Sequence, residues 1–594
     1  MKRSTSRNKK NRVSNGQKNI VFHNSVFFLR SDIFPDESFK PEEYIKNIPR
    51  SILLRYAILF INNFNHHSHI ESSEDFLDKY FSEYKDKSYL IWKKILRDKS
   101  IKFNTKIVIV YPLSNFKFFE IASKQSEFEY KLDDIEYIEK SNINVLKCYL
   151  SINEIFASKE AICRMSLEKW WPNDISLLTS FLGSLMESDI TKFSPIFNYI
   201  AQYTKSKYLF SYLLSTPNTR ELLKEYLMER GLNSVSDYLG KLVFIFDQTA
   251  NRDKIVGLAL FTIDPIKFPK LYKFVNMFLL TKITDDDDFL SIRNSPIIEL
   301  EPNVFHLIHD KFLFDKLYIG IFFDLFKIYK ERKMTMLNDF MGHFGEHFFE
   351  RYLASKVLYD IILNKAIKLS GEDIKSARLK SELKGEPDYY IRDWQNIYVF
   401  EVKNNLIKNS IKYSFNYEKV EPYLKTRFIY DEENKKDGVI RQIINNIDLI
   451  FSNKLDFDQI NSCNSIKIYP IAIVPEESYS SYGFNYIVNQ WFEQELESRS
   501  NGNRLRYRRV RPLVIITIDT IIILRYYIKM KRLKLKDLLD TYIGNYLTKQ
   551  EYNKNRISFT MFVNNFIVGS GLPPIDFKHS QDEIFPDFDF RFDV

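Results

Sequence analysis

Residues 385–404, GEPDYYIRDWQNIYVFEVKN, constrain this chain more than any other stretch. Two short runs rich in Tyr, Ile, Val and Phe flank Asp393-Trp394-Gln395-Asn396, the pattern of a β-hairpin closed by a tight turn. Opposed residues of an antiparallel pair have a constant sum of positions. A two- or four-residue loop centred on Trp394-Gln395 therefore sets Asp388 directly across from Glu401. Directly opposed side chains share a face, with Cβ atoms about 4.5–5.5 Å apart. Alternation along the strand adds Lys403 to that face and turns Val402 into the core. An odd loop would break the coincidence. Two carboxylates this close repel unless a cation sits between them, and hard oxygen ligands with open positions favour Mg²⁺ or Mn²⁺ over zinc. A lysine beside such an ion suits stabilising charge on a phosphorane or orienting an attacking water.

The elements around the hairpin follow an α/β order. The pattern predicts a helix over about 337–367, then strands near 374–381, 387–392 and 397–403. A polar insert (404–436), a helix (437–453) and a strand (466–475) follow. The first helix carries FGEHFFERYL, in which Glu346 and Glu350 are four apart and share a face beside Phe344, Phe348 and Tyr352. On the second, Ile440, Ile443, Ile444 and Ile447 make a buried stripe with Gln442 beside it. Residues 468–474, IYPIAIV, suit a strand buried on both faces.

Together these features resemble the PD-(D/E)XK nuclease superfamily, whose core runs αβββαβ. The resemblance rests on Pro387-Asp388, twelve intervening residues and Glu401-Val402-Lys403, on the Phe349-Glu350-Arg351-Tyr352 context, and on the order of elements. It covers residues 337–476. It implies a mixed central sheet flanked by helices and a metal-dependent nuclease hydrolysing phosphodiester bonds, with DNA ranked ahead of RNA. Asp388, Glu401 and the carbonyl of Val402 would hold Mg²⁺ or Mn²⁺. A glutamate of the first helix would complete the site: Glu350 comes first for its Phe-Glu-Arg-Tyr context, and Glu346 stays in play because the spacing from Gly345 to Glu350 is one residue longer than the usual pattern. Lys403 would serve the water and the transition state, and Gln442 would orient water or phosphate. Restriction or anti-phage defence is the setting implied by family resemblance alone.

Two other readings stand beside this one. The first is a non-catalytic nucleic-acid-binding or scaffold protein with a decayed nuclease fold. The second is a zinc metalloprotease, since His343-Phe344-Gly345-Glu346-His347 matches the inverted signature H-x-x-E-H. Gly345 weakens that helix by about 1 kcal/mol relative to alanine, and the motif leaves the hairpin unexplained.

A chain of 594 residues exceeds one core. The expected organisation is a basic disordered tail (1–20), a mixed α/β region (21–150), a mainly helical domain (151–335), a nuclease-like domain with its extension (336–560) and an acidic, aromatic tail (561–594). Residues 576–594 read as disordered, with partner docking or inhibitory folding-back as sharper alternatives. Lys and Arg outnumber Asp and Glu by 86 to 77, a mild excess compatible with a nucleic-acid partner. The N-terminal region is large enough to meet a protein partner, and a homo-oligomer stays open. Arg499, Arg504, Arg506, Arg508, Arg509 and Arg511 crowd together without an acid between them. Alternation at 504, 506 and 508 would put three guanidiniums on one face of a strand entering 514–524, as a phosphate-binding rim or a charged sheet edge. Residues 529–536, KMKRLKLK, add charge on an expected helix. Cys148, Cys163 and Cys463 lie far apart, which suggests neither a disulfide framework nor a zinc site and reads as cytoplasmic. His66, His67, His69 and Asp285 to Asp288 read as solvated loops. The longest apolar run, 513–524, falls short of the roughly 20 residues a membrane helix needs, so no membrane partner is expected.

Overall fold

A five-stranded mixed sheet is built on the hairpin. The computed structural model describes residues 26–575 apart from 37–39, 65–72, 84–86, 105–106, 130–134, 191–194, 251–258, 285–287, 335–338, 364–365, 378–384, 456, 459–465, 501–506 and 549–555. Helix α1 (340–358) leads into strands β1 (Ile367–Ser370), β2 (Tyr389–Asp393) and β3 (Asn396–Val402). Helix α2 (Val439–Phe451), strand β4 (Lys467–Val474), helix α3 (Phe484–Ser500), strand β5 (Val514–Thr517) and helix α4 (Ile518–Lys529) follow. The strands stand in the order β5-β4-β3-β2-β1. β1, β2 and β3 pair antiparallel, whereas β3, β4 and β5 are parallel and are joined through α2 and α3. The helix, three strands, helix, strand order expected from the sequence is present.

Side-chain alternation divides the sheet into two apolar faces. Tyr389, Ile391, Tyr398, Phe400, Val402 and Ile473 share a core with α1, α4 and the helix Pro195–Ser215. Tyr390, Ile397, Val399, Ile468 and Val474 share the other core with α2, α3 and helices of the first 190 residues. Both cores therefore run across the boundary expected near residue 335, and the N-terminal half clasps the sheet from both sides.

Local chemistry moves several elements from their expected places. The strand expected at 374–381 lies earlier, at β1, and Gly371–Ala377 is a helix. Ser370 and Asp373 explain this. The Asp373 carboxylate accepts the N–H of Ser370 at 2.8 Å, and Ser370 Oγ accepts the N–H of Asp373 at 3.2 Å, a reciprocal cap that starts a helix. The apolar run 513–524 is a strand only as far as Thr517, whose hydroxyl accepts the N–H of Thr520 at 3.3 Å and caps α4. The basic stretch 529–536 straddles the turn after α4, where Lys531 is left-handed (φ 55°), and is not one helix. Pro470 sits inside the central strand β4 without breaking it. Lys467 donates its N–H to Gln395 on the β3 side and Ile468 to Arg509 on the other. Position 470 thus lacks its N–H on the β5 side, before that ladder starts at Ile471↔Val514.

In the N-terminal half, the described residues of 21–150 are chiefly helical, and a parallel pair joins Val26–Phe27 to Ile107–Val108. The region expected to be mainly helical also holds a three-stranded sheet of Leu260–Thr262, Ile297–Glu301 and Val304–Leu307. The expected tail 561–594 begins later, because Phe559–Gly569 is a helix that buries Met561, Phe562, Val563 and Ile567 in the core. Residues from 576, the 1–20 tail, the three histidines at 66–69, Asp285 to Asp287, Cys463, Arg504 and Arg506 lie outside the described residues. Cys148 and Cys163 are buried free thiols. Among the described residues no helix is long and apolar enough to cross a membrane.

Candidate metal centre

The hairpin loop is two residues long. Trp394 takes the left-handed backbone (φ 56°) that such a turn calls for, and pairing runs from Asp393↔Asn396 to Tyr389↔Phe400. One further step sets Asp388 against Glu401, as the even-loop argument requires. Asp388 Oδ2 accepts the N–H of Val402 at 2.7 Å. The carbonyl of a strand residue points the same way as its N–H, so the Val402 carbonyl also faces the Asp388 side. Lys403 points its N–H the other way, to the Ile473 carbonyl at 3.0 Å. Its Nζ lies 2.9 Å from Glu401 Oε1 and 3.9 Å from Asp388 Oδ2.

Glu401 is 3% exposed, and its Oε2 is buried without a hydrogen-bond partner. Burial first, then the charge of Asp388, pushes its carboxyl up to about 8 against the pull of Lys403. Burial alone would lower the Lys403 ammonium, but Glu401, Asp388 and Glu350 outweigh it and hold it above its ordinary value. Burial penalises the Glu401 carboxylate while Asp388 gives the Lys403 ammonium a second partner, so the pair leans toward a protonated Glu401 beside a charged Lys403.

Helix α1 brings the third carboxylate. Its middle, Phe344–Leu353, is wound as a π-helix, a form that recurs at functional sites. Gly345 allows the close approach to the segment after β3: a Cβ there would lie 3.3 Å from Asn404 Nδ2. Glu350 Oε1 then accepts the N–H of Asn404 at 3.3 Å. Burial pushes the Glu350 carboxyl up to about 7, opposed by Lys403 and assisted by Asp388. Glu346 turns outward and pairs with Arg351, which also reaches Glu372 at 3.3 Å. The i→i+5 bonding of a π-helix stacks these two positions, which explains the pairing. Of the two candidates, Glu350 is the one held against the strand end.

Asp388 and Glu350 border a cleft of about 410 Å³ whose lining also holds Glu346, Glu372 and Glu386, against Arg351 and Lys375, while Glu401 and Lys403 lie behind that lining. That balance suits a cation before a polyanion. Among the described residues no three His, Cys, Asp or Glu side chains already close on one point, and Lys403 fills the gap between Asp388 and Glu401. The orphaned Glu401 Oε2 nevertheless fits a hard divalent ion, which would give that atom a partner and draw on Asp388, Glu350 and the Val402 carbonyl.

Other expected residues lie elsewhere. Gln442, on α2, is not among the residues lining the cleft, and its Oε1 is buried without a hydrogen-bond partner. Arg508 and Arg509 lie in a turn and not in a strand. The Arg509 carbonyl and Arg511 N–H bond to Ile468 at 3.0 and 2.8 Å, and Arg511 leans on Asp540 at 3.6 Å. Ile468 lies five residues before Ile473, roughly 17 Å along a strand at about 3.3 Å per residue. The described arginines therefore sit at the far end of the sheet and do not rim the cleft. In the H-x-x-E-H stretch the two imidazoles are 4.7 Å apart at their centroids, but His343 Nε2 bonds the Tyr212 hydroxyl at 2.8 Å and Glu346 is taken by Arg351. Sequence reasoning missed Asn404, whose N–H fixes Glu350, and Asp458, buried against Tyr390 and Arg392. The adjacency of Asn404 to Lys403 was a usable signal for the first, and nothing local marks the second.

No protein-family model matches this chain, and no match is found among curated proteins or solved structures.

Proposed function

We propose that this chain is a metal-dependent phosphodiesterase that cleaves nucleic acid, DNA ahead of RNA. The observation that carries the reading is the convergence of Asp388, Glu401 and Lys403 on one face of a hairpin end, with Glu350 brought to it and Glu401 Oε2 unpartnered. Mg²⁺ or Mn²⁺ held by Asp388, Glu401, Glu350 and the Val402 carbonyl would supply Lewis-acid polarisation of a phosphoryl oxygen and lower the pKa of a bound water. Lys403 directs a fixed positive charge at the same point, where negative charge grows as water attacks phosphorus. Asp388 is oriented by the Val402 N–H, and Glu350 by the Asn404 N–H, which holds both carboxylates at the end of the hairpin strand. The setting in restriction or phage defence belongs to this proposal through family resemblance only.

The test is cleavage of mixed DNA and RNA by the purified chain with Mg²⁺ or Mn²⁺, beside Asp388→Ala and Lys403→Ala. Loss of cleavage in both variants is expected. Equal cleavage by wild type and variants would mean that the activity comes from elsewhere.

A further inference from the structure

One wall of the cleft is formed by Asn404 and Asn405, the residues that follow Lys403. Among the described residues their segment pairs with no strand, yet it is firmly stitched. Glu476, two residues past β4, accepts the N–H of Ile407 on Oε1 at 2.7 Å and the Lys412 ammonium on Oε2 at 3.0 Å. Tyr423 holds the same segment through the Lys408 N–H (3.1 Å) and the Leu406 carbonyl (3.0 Å).

Lys412 continues into the N-terminal half. Its Nζ lies 3.0 Å from Asp189 Oδ1, just past the helix Ile175–Glu187. Asp189 Oδ2 meets Arg293 at 3.1 Å and the Tyr413 hydroxyl at 3.3 Å. Lys412 and Asp189 are both buried. Burial alone would raise the Asp189 carboxyl, but Arg293 and Lys412 overcome it and hold it well below the usual carboxylate range. A second stitch runs in parallel: Ser188 meets Ser478 at 3.0 Å, and Ser184 accepts the Tyr482 N–H at 3.1 Å. Isolated buried charges are costly and persist when each has a fixed partner. Here three remote segments, around 189, 412 and 476, meet on one ammonium.

We propose that the buried Asp189–Lys412–Glu476 chain is the strut through which the N-terminal half sets the Asn404–Asn405 wall of the cleft. Lys412 is thereby a positioning residue: it acts through Glu476 and the Ile407 N–H on the backbone that holds Glu350 and carries Lys403. A shift of the helix ending at Glu187 pulls on the site through Lys412, beside the Tyr413 and serine contacts, which gives the N-terminal half a physical means to tune it. The catalytic consequence rests on the phosphodiesterase reading; the mechanical linkage does not.

The test uses the full chain and two readouts. Hydrogen exchange of residues 404–413 reports the wall directly. Turnover of the small phosphodiester bis(p-nitrophenyl) phosphate with Mn²⁺ reports its effect on chemistry. In Asp189→Asn, exchange across 404–413 rises at least about tenfold, the scale of one lost charge-assisted hydrogen bond. kcat falls while KM changes little, and Lys412→Arg, which keeps the charge, retains more turnover than Lys412→Met. Asp519→Asn is the control: it breaks another buried pair, Lys205–Asp519 at 2.6 Å, and leaves 404–413 protected. If Asp189→Asn does not fold, Tyr413→Phe removes only the 3.3 Å bond and gives a smaller rise in the same segment. Unchanged exchange at 404–413 in the folded variants, or an equal rise in Asp519→Asn, overturns the strut. A wild type that turns over no phosphodiester refutes the proposed function instead, and the exchange result still decides the linkage.

Discussion

Replacing Glu401 with glutamine separates the fold's need for this residue from the site's need. In the metal-free protein the buried carboxyl is raised from 4.5 to about 8. Between those values the folded state keeps a proton that the unfolded state has released. Stability therefore falls as pH rises through this window, by an amount on the order of 4–5 kcal/mol as a ceiling. The attraction of Lys403 is already contained in that shift, and structural relaxation or water entry would reduce it further. Glutamine mimics the protonated acid in shape and has no proton to lose. Urea unfolding in EDTA at pH 6 and pH 9 checks this. Wild type is expected to lose a few kcal/mol between the two, and Glu401→Gln markedly less. At pH 9 the variant overtakes wild type in the absence of metal, yet gains nothing from added Mn²⁺. Wild type should gain about 2.7 kcal/mol at a hundredfold excess over its Kd. Parallel pH profiles for the two proteins would refute the argument, because they would show that burial does not hold a proton on Glu401.

Three further outcomes follow from the same geometry. Glu350→Gln should lower turnover by about 10²-fold or more, the scale of removing a group that stabilises developing charge, whereas Glu346→Gln only releases Arg351 and changes steady-state rates little. Mn²⁺ affinity measured by calorimetry should rise from pH 6 to pH 8, approaching tenfold per pH unit for each proton displaced, because Glu401 and Glu350 must ionise at about 8 and about 7 to bind. Glu350→Gln should flatten that slope. Asp458→Ala leaves Arg392 and the Tyr390 hydroxyl without their shared partner and should cost about 3–5 kcal/mol in denaturant unfolding.

The centre of the fold was legible because its signals are local. Asp393-Trp394-Gln395-Asn396 closes an even loop, and period-two alternation then fixes which side chains meet. Glu350 could be ranked above Glu346 from its context, but the reason lies in the π-winding and in the Arg351 pair, neither of which a 3.6-residue pattern reveals. The strand expected at 374–381 falls at 367–370 instead, because the apolar pattern there is short and the reciprocal Ser370–Asp373 cap turns the residues that follow into a helix. The run 513–524 reads as one apolar segment, yet Thr517 ends the strand and starts α4 through a single hydroxyl. The arginine cluster shows the limit of charge counting: its composition suggests a phosphate rim, but the register of β4 puts its described members at the other end of the sheet. Lys412 lay inside what reads as a polar insert, and its partners at 189 and 476 are set by tertiary packing alone.

The account stands on three carboxylates and a carbonyl holding a divalent ion beside Lys403. Mn²⁺ binding to the 594-residue chain at pH 8, followed by electron paramagnetic resonance, tests this most directly. Binding that is saturable in wild type, abolished in Asp388→Asn and in Glu401→Gln, weakened in Glu350→Gln and unchanged in Glu346→Gln is the predicted result. Binding that survives in both Asp388→Asn and Glu401→Gln, or that never appears in wild type, would contradict it.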